Sequence, residues 1–151
     1  MIVHGRPGQY SAGQSIGILL LDALLPLPPG DVAHAGTYPF PVQYQVVKAA
    51  SIERLIYQRD KALLQPFIDG ALALVSHGAQ AITSDCGFMA LFQQEMAEAV
   101  PVPVFLTSLL QVPLMQNMLP ARQSVGIVSA DASKLTEEHF NAAGITQTDR
   151  I

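Results

Sequence analysis

The chain has 151 residues, half of them hydrophobic and 13% charged, with a net charge of −4 at neutral pH. This is the size of one ordinary domain, and the apolar content excludes a disordered chain. No block of Lys or Arg occurs, which excludes a nucleic-acid surface, because phosphate contacts need concentrated positive charge.

Residues 1–14 carry Gly5, Pro7, Gly8 and Gly13 without any period and read as an extended lead. Residues 15–21 are a continuous apolar run, the pattern of a strand buried on both faces. A long loop follows at 26–41, rich in proline, and loops of this length are often functional. Residues 43–47 read as a second strand. The spacing of Leu63, Leu64, Phe67, Ile68, Ala71, Leu72 and Val75 predicts a helix over 60–77. Pro66 fits its first turn, and Gly78 ends it. A third strand is expected at 81–84 and a helix from there to about Ala99. A fourth strand is expected at 102–106, with Pro103 suited to its start or to an edge. A helix over 108–119, a fifth strand over 124–129 and a helix from Asp131 or Ser133 to Ala143 complete the series. Gly144-Ile145-Thr146 reads as the lead-in to a further strand.

Strands and helices alternate, which predicts an α/β fold with a parallel sheet flanked by helices. The expected organisation is the lead at 1–14, a first domain over 15–120 and the start of a second, similar domain over 121–151. The apolar stretch of residues 16–27 is broken by Asp22 and Pro26 and is too short to span a membrane. Arg6, residues 16–25 and Ala33-His34-Ala35 stand in the order of a signal peptide. Asp22 and the Pro28-Pro29-Gly30 break argue against that reading. One cysteine cannot form an internal disulfide, which fits a reducing, cytoplasmic setting.

No Gly-rich phosphate loop and no Gly-x-Ser-x-Gly elbow occurs. His4, His34, His77 and His139 lack metal-ligand spacing, so no metal is expected. The informative residue is Cys86, in Ala81-Ile82-Thr83-Ser84-Asp85-Cys86-Gly87-Phe88. A thiol where a strand passes into a helix faces free amides, which favour the thiolate. Open α/β sheets also bind ligands at this edge. The plainer reading is a buried cysteine that fills space. Asp85 is ambiguous: its charge raises the pKa of a neighbouring thiol, or it points away as a cap. Thr107-Ser108 and Ser129-Ala130-Asp131 close the next two expected strands as Thr83-Ser84 closes the third, and Asp22 follows the first. Together they read as a carboxylate pocket or, equally, as a set of helix caps.

Several segments carry a family resemblance. They are Ile18-Leu19-Leu20-Leu21-Asp22, Pro28-Pro29-Gly30-Asp31, Phe40-Pro41-Val42, the Cys86 segment itself, Val102-Pro103-Val104-Phe105, Ser108-Leu109-Leu110-Gln111-Val112-Pro113 and Val125-Gly126-Ile127-Val128. With these the chain resembles the aspartate/glutamate racemase superfamily from Ser15 onward. The resemblance implies two similar α/β domains with a site in the cleft, and cofactor-independent proton transfer by two cysteines. It implies that Cys86 is the first-domain thiol, that Thr83, Ser84 and Gly87 hold the substrate carboxylate, and that Thr107, Ser108 and Asp22 join them. The second cysteine is not in this sequence. The expected function is therefore a racemase or isomerase of a small amino acid or related carboxylate. The alternatives are a non-catalytic carboxylate-binding domain and a fragment that associates with another chain. The expected partners are a small carboxylate substrate and further copies of the chain, with neither nucleic acid nor membrane.

Overall fold

The uncharged aliphatic run after Ser15 becomes a central strand. In the computed structural model, which describes residues 10–13 and 15–151, it is β1 (Ile16–Leu21). The extended lead expected at 1–14, with Arg6 and His4, lies outside the described residues except for 10–13. Strand β1 is flanked by β2 (Val42–Val47) and β3 (Ala81–Ser84), and β4 (Val104–Phe105) extends the sheet beyond β3. The order is β2-β1-β3-β4 and every pairing is parallel. The molecule is an α/β fold, and its strands all end on one edge. Among the described residues no helix is long and apolar enough to cross a membrane.

The expected helix over 60–77 forms in two parts. Asp60 accepts the Ala62 amide and caps a 3-10 turn at Lys61–Leu63, and α1 (Leu64–Ser76) follows. Helix α1 lies directly on the sheet. Gly17 is buried in β1, and a Cβ there would come within 3.0 Å of the Leu74 Cβ and the Ile82 Cδ1. The missing side chain is what lets helix and sheet approach this closely.

Four expected elements differ. The fourth strand is only two residues long. Pro103 has no N–H to add to the ladder, although its carbonyl accepts the Ile82 amide at 2.9 Å. The helix expected after Cys86 starts as a 3-10 turn, Gly87–Phe92, and becomes α2 (Gln93–Ala99) only after Phe92. Likewise α3 (Val112–Met118) follows a 3-10 turn at Ser108–Gln111. Residues 124–129, expected as a fifth strand, pair with no strand. Their exposure alternates as in a strand, with Val125 and Ile127 half-buried and Val128 fully exposed. Among the described residues no neighbouring strand supplies the ladder. The last helix is α4 (Glu137–Ala142).

The packing forms two clusters. The larger joins sheet and α1 through Leu19, Leu55, Phe67, Leu74, Ile82 and Phe92. The smaller joins Ala90, Leu109 and Val112 to Ala143 and Ile145. The 3-10 turn after Cys86 belongs to both, because Phe88, Met89, Leu91 and Phe92 enter the first and Ala90 enters the second.

Candidate active site

Strand β3 delivers Ser84, Asp85 and Cys86 to the edge where parallel sheets bind ligands. The backbone holds them there. The Asp85 amide donates to the Leu19 carbonyl, and the Asp85 Oδ2 accepts the Leu21 amide at 3.0 Å. Asp85 is thus tied to the end of β1 and does not cap the turn that follows. Its other oxygen, Oδ1, is buried and accepts no hydrogen bond. Burial pushes its carboxyl up to about 6, and Asp31, on the loop before β2, adds to the effect through space.

Cys86 has extended backbone and then enters the 3-10 turn. Burial pushes its thiol up to about 11, and the Asp85 charge adds to this; the Phe88 and Met89 amides pull the other way without compensating. The expected thiolate is therefore corrected to a neutral thiol. A short 3-10 turn aligns few peptide dipoles, and desolvation outweighs them.

The thiol lines a cavity of about 260 Å³. Asp85, Gly87 and Phe88 share its floor with Cys86, and Thr107 and Ser108 come from the loop after β4. The segment 127–130 closes the far side, and Ile56 and Leu135 add apolar wall. Among the described residues no Lys, Arg or His contributes to this lining.

The other expected site residues divide. Gly87, Thr107 and Ser108 meet Cys86 at the cavity. The Thr107 Oγ1 also accepts the Leu109 amide, so it is a cap as well. Thr83 and Ser84 do not reach this cavity; they line a neighbouring one of about 250 Å³ with Asp85, Gly87, Thr107 and Ser108. Their hydroxyls serve the sheet. The Thr83 Oγ1 donates to the Phe105 carbonyl at 2.7 Å, and the Ser84 Oγ donates to the Leu106 carbonyl at 2.6 Å. Asp22 is not brought to the cavity. It pairs with Lys48 at 3.3 Å toward β2. Ser129 lines the cavity, whereas Asp131 caps the next turn by accepting from Ser133.

Two supporting residues had no sequence signal. Gln93 is buried, and its amide stands in for a strand: Nε2 donates to the Val104 carbonyl and Oε1 accepts the Leu106 amide. His139 is fully buried on α4 and meets the Phe88 ring edge-on, centroids 5.4 Å apart. A polar residue on a helix gives no hint of which distant strand or ring it will reach.

The chain is similar to dimethylsulfoniopropionate lyases. It is 32% identical to dimethylsulfoniopropionate lyase 3 of Emiliania huxleyi (strain CCMP1516), over 80% of this chain and 32% of that protein. It is 31% identical to lyase 7 of the same organism, over 80% of this chain and 36% of that protein. A dimethylsulfoniopropionate lyase of Durusdinium sp. clade D is 28% identical over 85% of this chain and 44% of that protein. The chain spans about a third of the length of the first two relatives. No family model matches it, and no solved structure matches it.

These relatives correct the racemase resemblance. They bear the name of a lyase, and the expected racemase or isomerase function falls with the resemblance that implied it. The alternative of a non-catalytic carboxylate binder loses its support too, since the relatives are named as enzymes. The physical reason is that a thiol among hydroxyl-bearing loops specifies proton transfer beside a carboxylate. It does not specify what happens to the electrons left on carbon.

Proposed function

We propose that this chain carries the Cys86 part of a site that cleaves dimethylsulfoniopropionate by elimination. The observation that carries the reading is the identity of about 30% to lyases of that name over four-fifths of the chain. The cavity beside the one cysteine supports it.

The substrate is a small zwitterion with a carboxylate at one end and a sulfonium at the other. The Cys86 thiol, neutral in the free site, releases its proton to solvent as the cationic substrate binds, and the thiolate so formed takes a proton from the carbon beside the carboxylate. The electrons of that C–H bond form a C=C bond, and the C–S bond to the sulfonium breaks with its electrons leaving on sulfur. The products are neutral dimethyl sulfide and acrylate, and Cys86 is left as the neutral thiol. The Gly87 backbone and the Thr107 and Ser108 hydroxyls receive the carboxylate end, where negative charge builds in the transition state. Thr83 and Ser84 hold β4 in place beneath them. Residues 15–120 form the first α/β unit and 121–151 begin a second, and the lone cysteine fits a cytoplasmic setting.

The test is headspace detection of dimethyl sulfide. The chain is expected to release it from dimethylsulfoniopropionate, and Cys86→Ser is expected to lose about 10²–10⁴-fold of the rate, the usual contribution of a positioned base. Equal release by both would move the base elsewhere, and no release by the chain would overturn the reading.

A further inference from the structure

A sulfonium ion has no N–H or O–H to donate. A protein can recognise it only by opposite charge and by apolar contact with its methyl groups. Resting on the lyase reading above, we infer that Asp85 is the cation-selecting residue of the Cys86 cavity, supplying the counter-charge for the sulfonium end of the substrate.

Three observations carry this. Among the described residues, Asp85 is the one carboxylate lining the cavity, and no cationic side chain lines it. Its Oδ2 is fixed by the Leu21 amide, whereas the buried Oδ1 has no donor. Buried carboxylate oxygens without a donor are uncommon, since they forfeit solvation and receive nothing in return. Because that oxygen is buried, its charge reaches the cavity through space and not through a hydrogen bond, which suits a ligand that brings charge but no donor. Finally, Ile56, Phe88, Ile127 and Leu135 give the same cavity an apolar wall suited to methyl groups. The two ends of the zwitterion then separate, with the sulfonium toward Asp85 and the apolar wall and the carboxylate toward Thr107 and Ser108. Asp31 lends its charge from the loop before β2. A cation seated here also favours the thiolate of Cys86, so the substrate helps to generate its own base.

The experiment compares two ligands of one shape. Dimethylsulfonioacetate carries the cation and cannot eliminate dimethyl sulfide, because it has no second methylene; isovalerate is its uncharged-end isostere. Calorimetric titration of the chain is expected to favour the sulfonium compound by at least about tenfold. In Asp85→Asn, which keeps an acceptor for the Leu21 amide, the ratio is expected to fall to near unity, with an unchanged far-UV spectrum. A wild-type ratio near unity would overturn the inference without any variant. So would a folded Asp85→Asn that keeps the preference. Dimethyl sulfide release decides the lyase reading separately. Release together with an unaltered ratio in Asp85→Asn sinks this inference alone, and a ratio lost in Asp85→Asn without release sinks the lyase reading alone.

Discussion

At Cys86 two influences oppose each other, and their sizes decide the chemistry. The Phe88 and Met89 amides favour the thiolate, but burial and the Asp85 charge win and push the thiol up to about 11 from an ordinary 9.0. Alkylation by iodoacetamide in the absence of ligand is therefore expected to be slow at pH 8 and to keep rising toward pH 11. A rate that levels off near pH 9 would contradict this. The same shift has a stability consequence. Between the ordinary value and 11 the folded chain holds a proton that the unfolded chain has released. Stability thus falls as pH rises through that window, and Cys86→Ala should remove the slope. The place of Cys86 was legible in the sequence, because an apolar run closing in small polar residues marks a strand end. Its protonation was not legible. The desolvating groups, Ile56, Ile127 and Leu135, arrive from distant parts of the chain.

Among the elements, the close contact of β1 and α1 depends on Gly17. Gly17→Ala places a methyl 3.0 Å from the Leu74 Cβ, which no rotamer change can relieve. The expected cost is about 1–3 kcal/mol by urea unfolding, the usual penalty of overpacking. No loss of stability would mean that α1 can shift. Helix α4 depends on a different device. His139 is buried with its Nε2 unpartnered, and its Nδ1 is held by Thr136. Burial holds its pKa below the usual value. The charged groups around it are Glu138, Arg59 and Lys61. Its contribution to stability is therefore complete above the ordinary histidine value and is lost as pH falls through the lowered one. Melting curves from pH 7 to pH 4.5 should show His139→Leu less acid-sensitive than the wild type, and an unchanged acid limb would count against the assignment. Apolar runs revealed β1 and β3, and helical spacing revealed α1, because those patterns are local. The two-residue β4 and the unpaired segment 124–129 were not legible, since pairing depends on a neighbour that periodicity does not describe.

For the molecule as a whole, fold and reaction are written in different places. Alternating strands and helices specify the parallel sheet and the edge where Cys86 sits, and the structure bears this out. The proposed lyase reading rests on finer detail: an unpartnered carboxylate oxygen, a cavity wall without cations among the described residues, and the identity shared with the lyases over four-fifths of the chain. Proton abstraction is common to racemisation and elimination, so residue types alone could not divide them.

The turn after Cys86 places its side chains in two cores, Phe88, Met89, Leu91 and Phe92 in one and Ala90 in the other. A rivet through two plates is loosened when either plate moves. The seat of the thiol therefore depends on both clusters, and damage to either is expected to disturb it. The alkylation rate that reports its protonation thus also reports the integrity of the whole chain, and substitutions far from the cavity, Gly17→Ala in one core or Ile145→Ala in the other, should both quicken it.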